Sequence, residues 1–123
     1  MTTERLRVGK LGEEEAERRL RLSGCEILAR NWRCRSGEID IVAKSGDCIV
    51  FVEVRSRSKA SGSRFGTAAE SVDYRKQAKV RLVAQMYLRQ NRMPEARTRF
   101  DVISVTLGAH YVVDEYRHYE SAF

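Results

Sequence analysis

The sequence predicts an α/β domain, and three observations carry that expectation. Two β-branched apolar runs, Glu38 to Ala43 and Cys48 to Arg55, are joined by the turn-rich Lys44-Ser45-Gly46-Asp47 and read as a hairpin. Between Val72 and Asn91 the apolar residues Val80, Val83, Ala84, Tyr87 and Leu88 recur at i, i+3, i+4, i+7 and i+8, one face of a helix. A length of 123 residues suits one hydrophobic core, so residues 1–123 are expected to form a single domain.

The other elements follow in order. Leu6, Leu11, Ala16, Leu20 and Leu22 make a narrow apolar stripe on a first helix from Leu6 to Leu22, ended by Ser23-Gly24. Gly9 and Gly12 each cost about 1 kcal/mol in a helix interior, so either the helix starts near Gly12 or something comes close to its first turn. Cys25 to Trp32 reads as a first strand, before the hairpin. Ser56 to Gly66 has almost nothing to bury and holds Arg57, Lys59 and Arg64; it reads as a basic loop, either a solvated connector or a phosphate grip. After the second helix, Arg99 to Leu107 is rich in β formers and His110 to Tyr116 is a last strand. The expected order is α-β-β-β-α-β-β.

Composition narrows the function. Lys and Arg number 23 against 17 Asp and Glu, a net charge of +6, so the surface attracts polyanions. Nucleic acid is the commonest such partner, with membrane phosphate and plain solubility as alternatives. Cys25, Cys34 and Cys48 are odd in number and form no Cys-x-x-Cys pair, which argues against a disulfide framework or structural zinc and suits a reducing cytoplasm. Glu4, Arg5 and Arg7 precede any apolar run, and nothing approaches the ~20 apolar residues of a membrane span. The expectation is a chain that is neither secreted nor membrane-inserted.

The hairpin carries the chemistry. With the turn at Lys44 to Asp47, Ala43 falls opposite Cys48, Asp40 opposite Phe51 and Glu38 opposite Glu53. Alternation then puts Glu38, Asp40, Phe51, Glu53 and Arg55 on one face, with Asp40 and Glu53 diagonal at roughly 7–8 Å. Like charges so placed repel and are costly to desolvate unless a cation compensates. Arg55 is one such cation. A divalent metal is another, since Mg²⁺ takes one or two carboxylates and leaves room for water and a phosphate. A salt-bridged surface hairpin is the plainer alternative, but Ile49-Val50-Phe51-Val52 places Glu53 in a run typical of a central strand.

The residues Gly9, Gly12-Glu13, Ala16, Ile27 to Arg33, Gly37-Glu38-Ile39-Asp40, Phe51-Val52-Glu53-Val54-Arg55, Arg57, Phe65-Gly66, Lys76-Gln77, Tyr87-Leu88 and Arg99 to Val102 together resemble the YraN family. That bacterial family is assigned to the PD-(D/E)XK nuclease-like superfamily and is akin to archaeal Holliday-junction resolvases. The resemblance implies a restriction-endonuclease-like mixed β-sheet flanked by α-helices. It implies that Asp40 and Glu53 hold Mg²⁺ or Mn²⁺, with the Val54 carbonyl as a third ligand. By the same likeness Glu13 orients water, and Gln77 lies near the site; a solvated helix Glu and an exposed helix Gln are the plainer readings. The departure is Arg55, where the superfamily pattern has Lys: guanidinium stays charged and is a poor general base. Lys44 and Lys76 are the ammonium groups able to replace it.

The leading reading is a metal-dependent DNA endonuclease, with selectivity for branched structures as a further implication of the likeness. The alternative is a weakly active or inactive nucleic-acid-binding module on a nuclease fold, and a third is a scaffold whose acids merely pair with Arg55. Arg57, Lys59, Arg64 and Lys76 are the expected nucleic-acid contacts. Resolvase-like relatives often act as dimers, so a homodimer is an option, although no self-complementary patch is legible. Asp73 and Asp101 read as structural, Trp32 as a half-buried ring rather than a base-stacking one, and His110 and His118 show no ligating spacing.

Overall fold

The computed structural model describes residues 3–59 and 72–123 of the chain. Two long helices lie on opposite faces of one sheet, in the order α1 (Thr3–Leu22), β1 (Glu26–Cys34), β2 (Gly37–Ser45), β3 (Cys48–Ser58), α2 (Tyr74–Gln90), β4 (Arg97–Leu107), a 3-10 turn (Ala109–Tyr111) and β5 (Val113–Tyr119). The strands lie side by side in chain order. β3 and β4 run parallel, joined by the connection that carries α2, and every other neighbouring pair is antiparallel. The expected element order and mixed, helix-flanked sheet are both present.

Each helix covers its own core. Val8, Ala16 and Leu20 of α1 pack on Ile41, Ala43, Val50, Val52, Ile103, Val105 and Leu107. On the other face Val80, Val83, Ala84, Tyr87 and Leu88 of α2, the stripe read from the sequence, pack on Ile39, Val42, Ile49 and Phe51. β3 contributes to both, Val50 and Val52 to one side and Ile49 and Phe51 to the other, which is why its apolar run is continuous. Trp32 of β1 meets Tyr87 edge-on, ring centroids 5.3 Å apart. Cys25, Cys34 and Cys48 are all free thiols. Among the described residues no helix is long and apolar enough to cross a membrane.

Several boundaries differ from the sequence expectation. α1 begins at Thr3 and runs through both glycines; Leu6 and Leu22 are exposed at 61% and 74%, so its buried stripe is Val8, Gly12, Ala16 and Leu20. At Gly12 the close approach is real, since a Cβ there would overlap Ser56 Oγ on β3. β1 starts one residue later than expected and continues to Cys34. The residues Ser56 to Ser58, expected in the basic loop, extend β3 because β4 pairs with them out to Leu107. The rest of that loop beyond Lys59, Arg64 included, lies outside the described residues. The last strand is displaced from His110–Tyr116 to Val113–Tyr119, because the 3-10 turn takes up Ala109–Tyr111, where His110 and Tyr111 have positive φ.

The hairpin register also changes. Ser45 pairs with Cys48, leaving a two-residue turn of Gly46 and Asp47, with Gly46 at φ 61° as a tight hairpin with glycine first requires. Val42, not Asp40, therefore faces Phe51. The slip is two residues, an even number, so it preserves the faces that a one-residue slip would have inverted.

Candidate active site

The site forms where β2 parts from β3. The last pair between them is Ile41 with Val52, while Gly37 to Asp40 continue against β1 alone. Side-chain alternation breaks at the same place: Ile39 joins the core under α2, Ile41 the core under α1. Gly37 is held against α2, where a Cβ would come within 3.2 Å of Lys79 and 3.3 Å of Val83, and its φ of 145° favours glycine as well. In the gap so opened, the Asp40 carboxylate accepts the Val54 N–H at 2.8 Å. The carboxylate thus takes a backbone donor at the point where strand pairing stops.

Glu53, on β3, is 4% exposed. Its Oε1 lies 3.3 Å from the Nζ of Lys76, in the first turn of α2. That turn is fixed at both ends of its local network: Asp73 caps the helix by accepting the Lys76 N–H at 2.9 Å, and Gln77 donates its side-chain amide to the Val72 carbonyl at 2.8 Å. Capping thereby aims Lys76 at the acid. The sequence reading named Lys76 as a nucleic-acid contact and as one of two substitute ammonium groups; the structure brings it to Glu53. Lys44, the other, is exposed near the turn end of the hairpin, paired with Ile49.

Burial first, and then the charge of Glu53, push the Asp40 carboxyl up to about 7; the Val54 N–H opposes this, while Glu13 and Glu38 add to it. Glu53 is raised as well, again by burial, with Lys76 and Arg55 pulling it back. Two carboxylates both raised by burial, with the charge of Glu53 raising Asp40 further, form a place short of positive charge.

The remaining residues arrange around this pair. Glu13 sits on α1, 3.5 Å from Arg30 through Oε1, and its charge is felt at Asp40. Arg55 and Val54 line a depression beneath α1, and the Nε of Arg55 is buried with no hydrogen-bond partner among the described residues. Arg57 donates to Thr106 Oγ1 at 3.3 Å, and Lys59 pairs with Asp114 at 3.6 Å. Gln77 lies in the first turn of α2, next to Lys76, and its amide is engaged with Val72.

Among the described residues no three His, Cys, Asp or Glu side chains gather as a ready metal cage. Asp40 and Glu53 nonetheless fit a hard cation of the Mg²⁺ type, which takes one or two carboxylates and completes its shell with water and substrate oxygen.

The Uncharacterised protein family UPF0102 matches residues 12–105. The chain belongs to this family. UPF0102, the YraN family of the sequence resemblance, includes a protein of Pelotomaculum thermopropionicum that is 43% identical over 123 residues, the full length of both chains. A UPF0102 protein of Parafrankia is 50% identical over 99 residues, 80% of this chain and 81% of its own. One from Rhodococcus opacus is 42% identical over 118 residues, 96% of this chain and 97% of its own. The stretch matched to UPF0102 takes in Glu13, Asp40, Glu53, Arg55 and Lys76, and stops within β4.

Proposed function

We propose that this UPF0102 chain is a metal-dependent nuclease that hydrolyses phosphodiester bonds in DNA. The observation that carries the reading is the Lys76 ammonium at 3.3 Å from buried Glu53, beside an Asp40 carboxyl raised to about 7. Acid, acid and ammonium are the chemical parts of the superfamily pattern, and here the ammonium comes from α2 while position 55 holds a guanidinium.

Asp40 and Glu53 are the residues that would hold Mg²⁺ or Mn²⁺, with the Val54 carbonyl as a third ligand. The cation would supply Lewis acidity toward a phosphate oxygen and toward water. Lys76 holds a proton at Nζ and, hydrogen-bonded to Glu53, is placed to orient water or to release that proton. The Arg55 guanidinium offers donors to phosphate oxygens as negative charge develops on them. Glu13, tied to Arg30, supports the position of water from α1.

The test is a cleavage assay on linear, single-stranded and four-way-junction DNA with Mg²⁺, Mn²⁺ or chelator. Metal-dependent products that vanish in Asp40→Ala and in Glu53→Ala are expected; activity surviving both substitutions would falsify the assignment. A binding module with little turnover is the second reading, favoured by Arg55 in place of Lys. It predicts salt-sensitive DNA binding with no product under any metal.

A further inference from the structure

The two helices carry their charge differently. α1 mixes five glutamates with six cations, and Arg18, Arg19 and Arg21 are tied to glutamates of their own helix. α2 holds Arg75, Lys76, Lys79, Arg81 and Arg89 and no acid. Lys76 reaches Glu53, and Arg81 lies 5.1 Å from the centre of the Phe100 ring. The side chains of Arg75, Lys79 and Arg89 make no ion pair or hydrogen bond among the described residues.

The outer side of α2 is also apolar. Leu6, Leu22 and Val112 are exposed singly elsewhere, as surface hydrophobics commonly are. Tyr74, Leu82 and Met86, exposed at 89%, 48% and 36%, instead share one row. With the exposed Ala78 they stand at i, i+4, i+8 and i+12, the steps of a single ridge. The ridge runs about 18 Å along the helix. Helical geometry puts Arg75 and Lys79 along one flank of it, and Arg81, Gln85 and Arg89 along the other. The core stripe of the same helix, Val80 to Leu88, is buried on the sheet, so the ridge is a second apolar feature that folding leaves in water.

We propose that this ridge seats an acidic amphipathic helix of a partner protein. Its apolar stripe would lie on Leu82 and Met86, and its carboxylates against Arg75, Lys79 and Arg89. A ridge of residues four apart fits the matching groove of a facing helix, crossing at about −50°. Cations around an apolar centre select an acidic partner and steer its approach.

Charge and shape favour this occupant over others. A nucleic-acid backbone supplies anions but no apolar surface for Leu82 and Met86. An anionic bilayer supplies hydrocarbon, yet a helix lying in a membrane presents a broad apolar face, and the broad face of α2 already lies on the sheet. The α2 of a second copy brings only cations. On its α1, Glu13, Glu15 and Glu17 are engaged with Arg18, Arg19, Arg21 and Arg30. Such a partner docks whether or not the chain cleaves DNA, because Tyr74, Leu82 and Met86 stand outside the Asp40 and Glu53 pair.

The probe is a labelled synthetic peptide of about eighteen residues, long enough to form a helix, with leucines on one face and glutamates on their flanks. Beside it run a version rearranged so that the leucines share no face, a version with lysine for glutamate, a blunt DNA duplex and phosphatidylglycerol vesicles. Fluorescence anisotropy should show binding of the acidic amphipathic peptide and not of the rearranged one. Leu82→Gln and Tyr74→Ser should each weaken it by about tenfold, the scale of a central interface anchor, while Leu22→Gln on α1 keeps native affinity. Lys79→Glu should weaken the acidic peptide and tighten its lysine counterpart. Circular dichroism checks that each variant folds, and Tyr74→Ser decides the matter where Leu82→Gln does not. Absence of binding, equal binding of the rearranged peptide, or native affinity in the folded ridge variants overturns the proposal. It is overturned too if the ridge substitutions weaken binding of the duplex or the vesicles and leave that of the peptide native.

Discussion

At residue scale the question is which cation serves the buried acids. Arg55 follows Glu53 by two positions and was the nearest cation in the sequence, ahead of Lys44 and Lys76, but its Nε is unpartnered among the described residues while Lys76 makes the contact. Sequence spacing shows neighbours within a strand; it does not show a side chain arriving from a helix more than twenty residues on. Lys76→Met, which keeps most of the length and removes the charge, should lower metal-dependent cleavage by about 10²-fold, the usual scale for a positioned proton-transfer group. Arg55→Gln should lower kcat as well, because the donors offered to the developing negative charge are lost. Steady-state kinetics on one substrate checks both, and equal kcat in Lys76→Met and the native enzyme would remove Lys76 from the chemistry.

At the scale of elements, turn composition placed the hairpin, with a register wrong by two residues, and alternation put Phe51 and Glu53 on one face of β3, where Phe51 packs under α2 and Glu53 meets Lys76 of that helix. The parity of that slip preserved the faces. What alternation hid was the break at Asp40, since nothing in Gly37-Glu38-Ile39-Asp40 shows that β2 will leave β3 there. The extension of β3 through Ser58 was hidden too: Ser56-Arg57-Ser58 looks like a loop, and its strand character comes from pairing with β4. That extension presses Ser56 against Gly12. Gly12→Ala should therefore destabilise the chain, against the usual gain from replacing a helix glycine, by about 1–3 kcal/mol as overpacking does. Ser56→Gly in the same chain should recover most of the loss. Chemical denaturation of the two variants and the double variant measures the coupling, and additive effects would show that the two sites do not touch.

Across the whole molecule, Asp101 and Asp40 titrate in opposite senses. Burial pushes Asp101 up, yet hydrogen bonds from His118, from Arg99 and from the Ser121 N–H outweigh it and hold the carboxyl below its ordinary value. Its contribution to stability is present above the unfolded pKa and is lost as pH falls through the lowered folded one. Asp40 does the reverse: its folded pKa of about 7 exceeds the ordinary 3.8, so its contribution is full below about 4 and is lost as pH rises through about 7. In chelator, stability should thus be greatest in mild acid and decline toward neutrality. Asp40→Asn, which still accepts from Val54, should flatten that decline and raise the melting temperature at pH 7.5 by about 3 °C, or near 1 kcal/mol for a domain of this size. Melting curves from pH 4 to 8 decide it; a native slope retained in Asp40→Asn would place the titration elsewhere. The chain's one tryptophan makes such shifts easy to follow. Trp32 lies edge-on to Tyr87, on the same helix whose first turn presents Lys76 to Glu53. Its emission is therefore an intrinsic optical gauge of whether α2 is seated, readable without a label while metal or oligonucleotide is added.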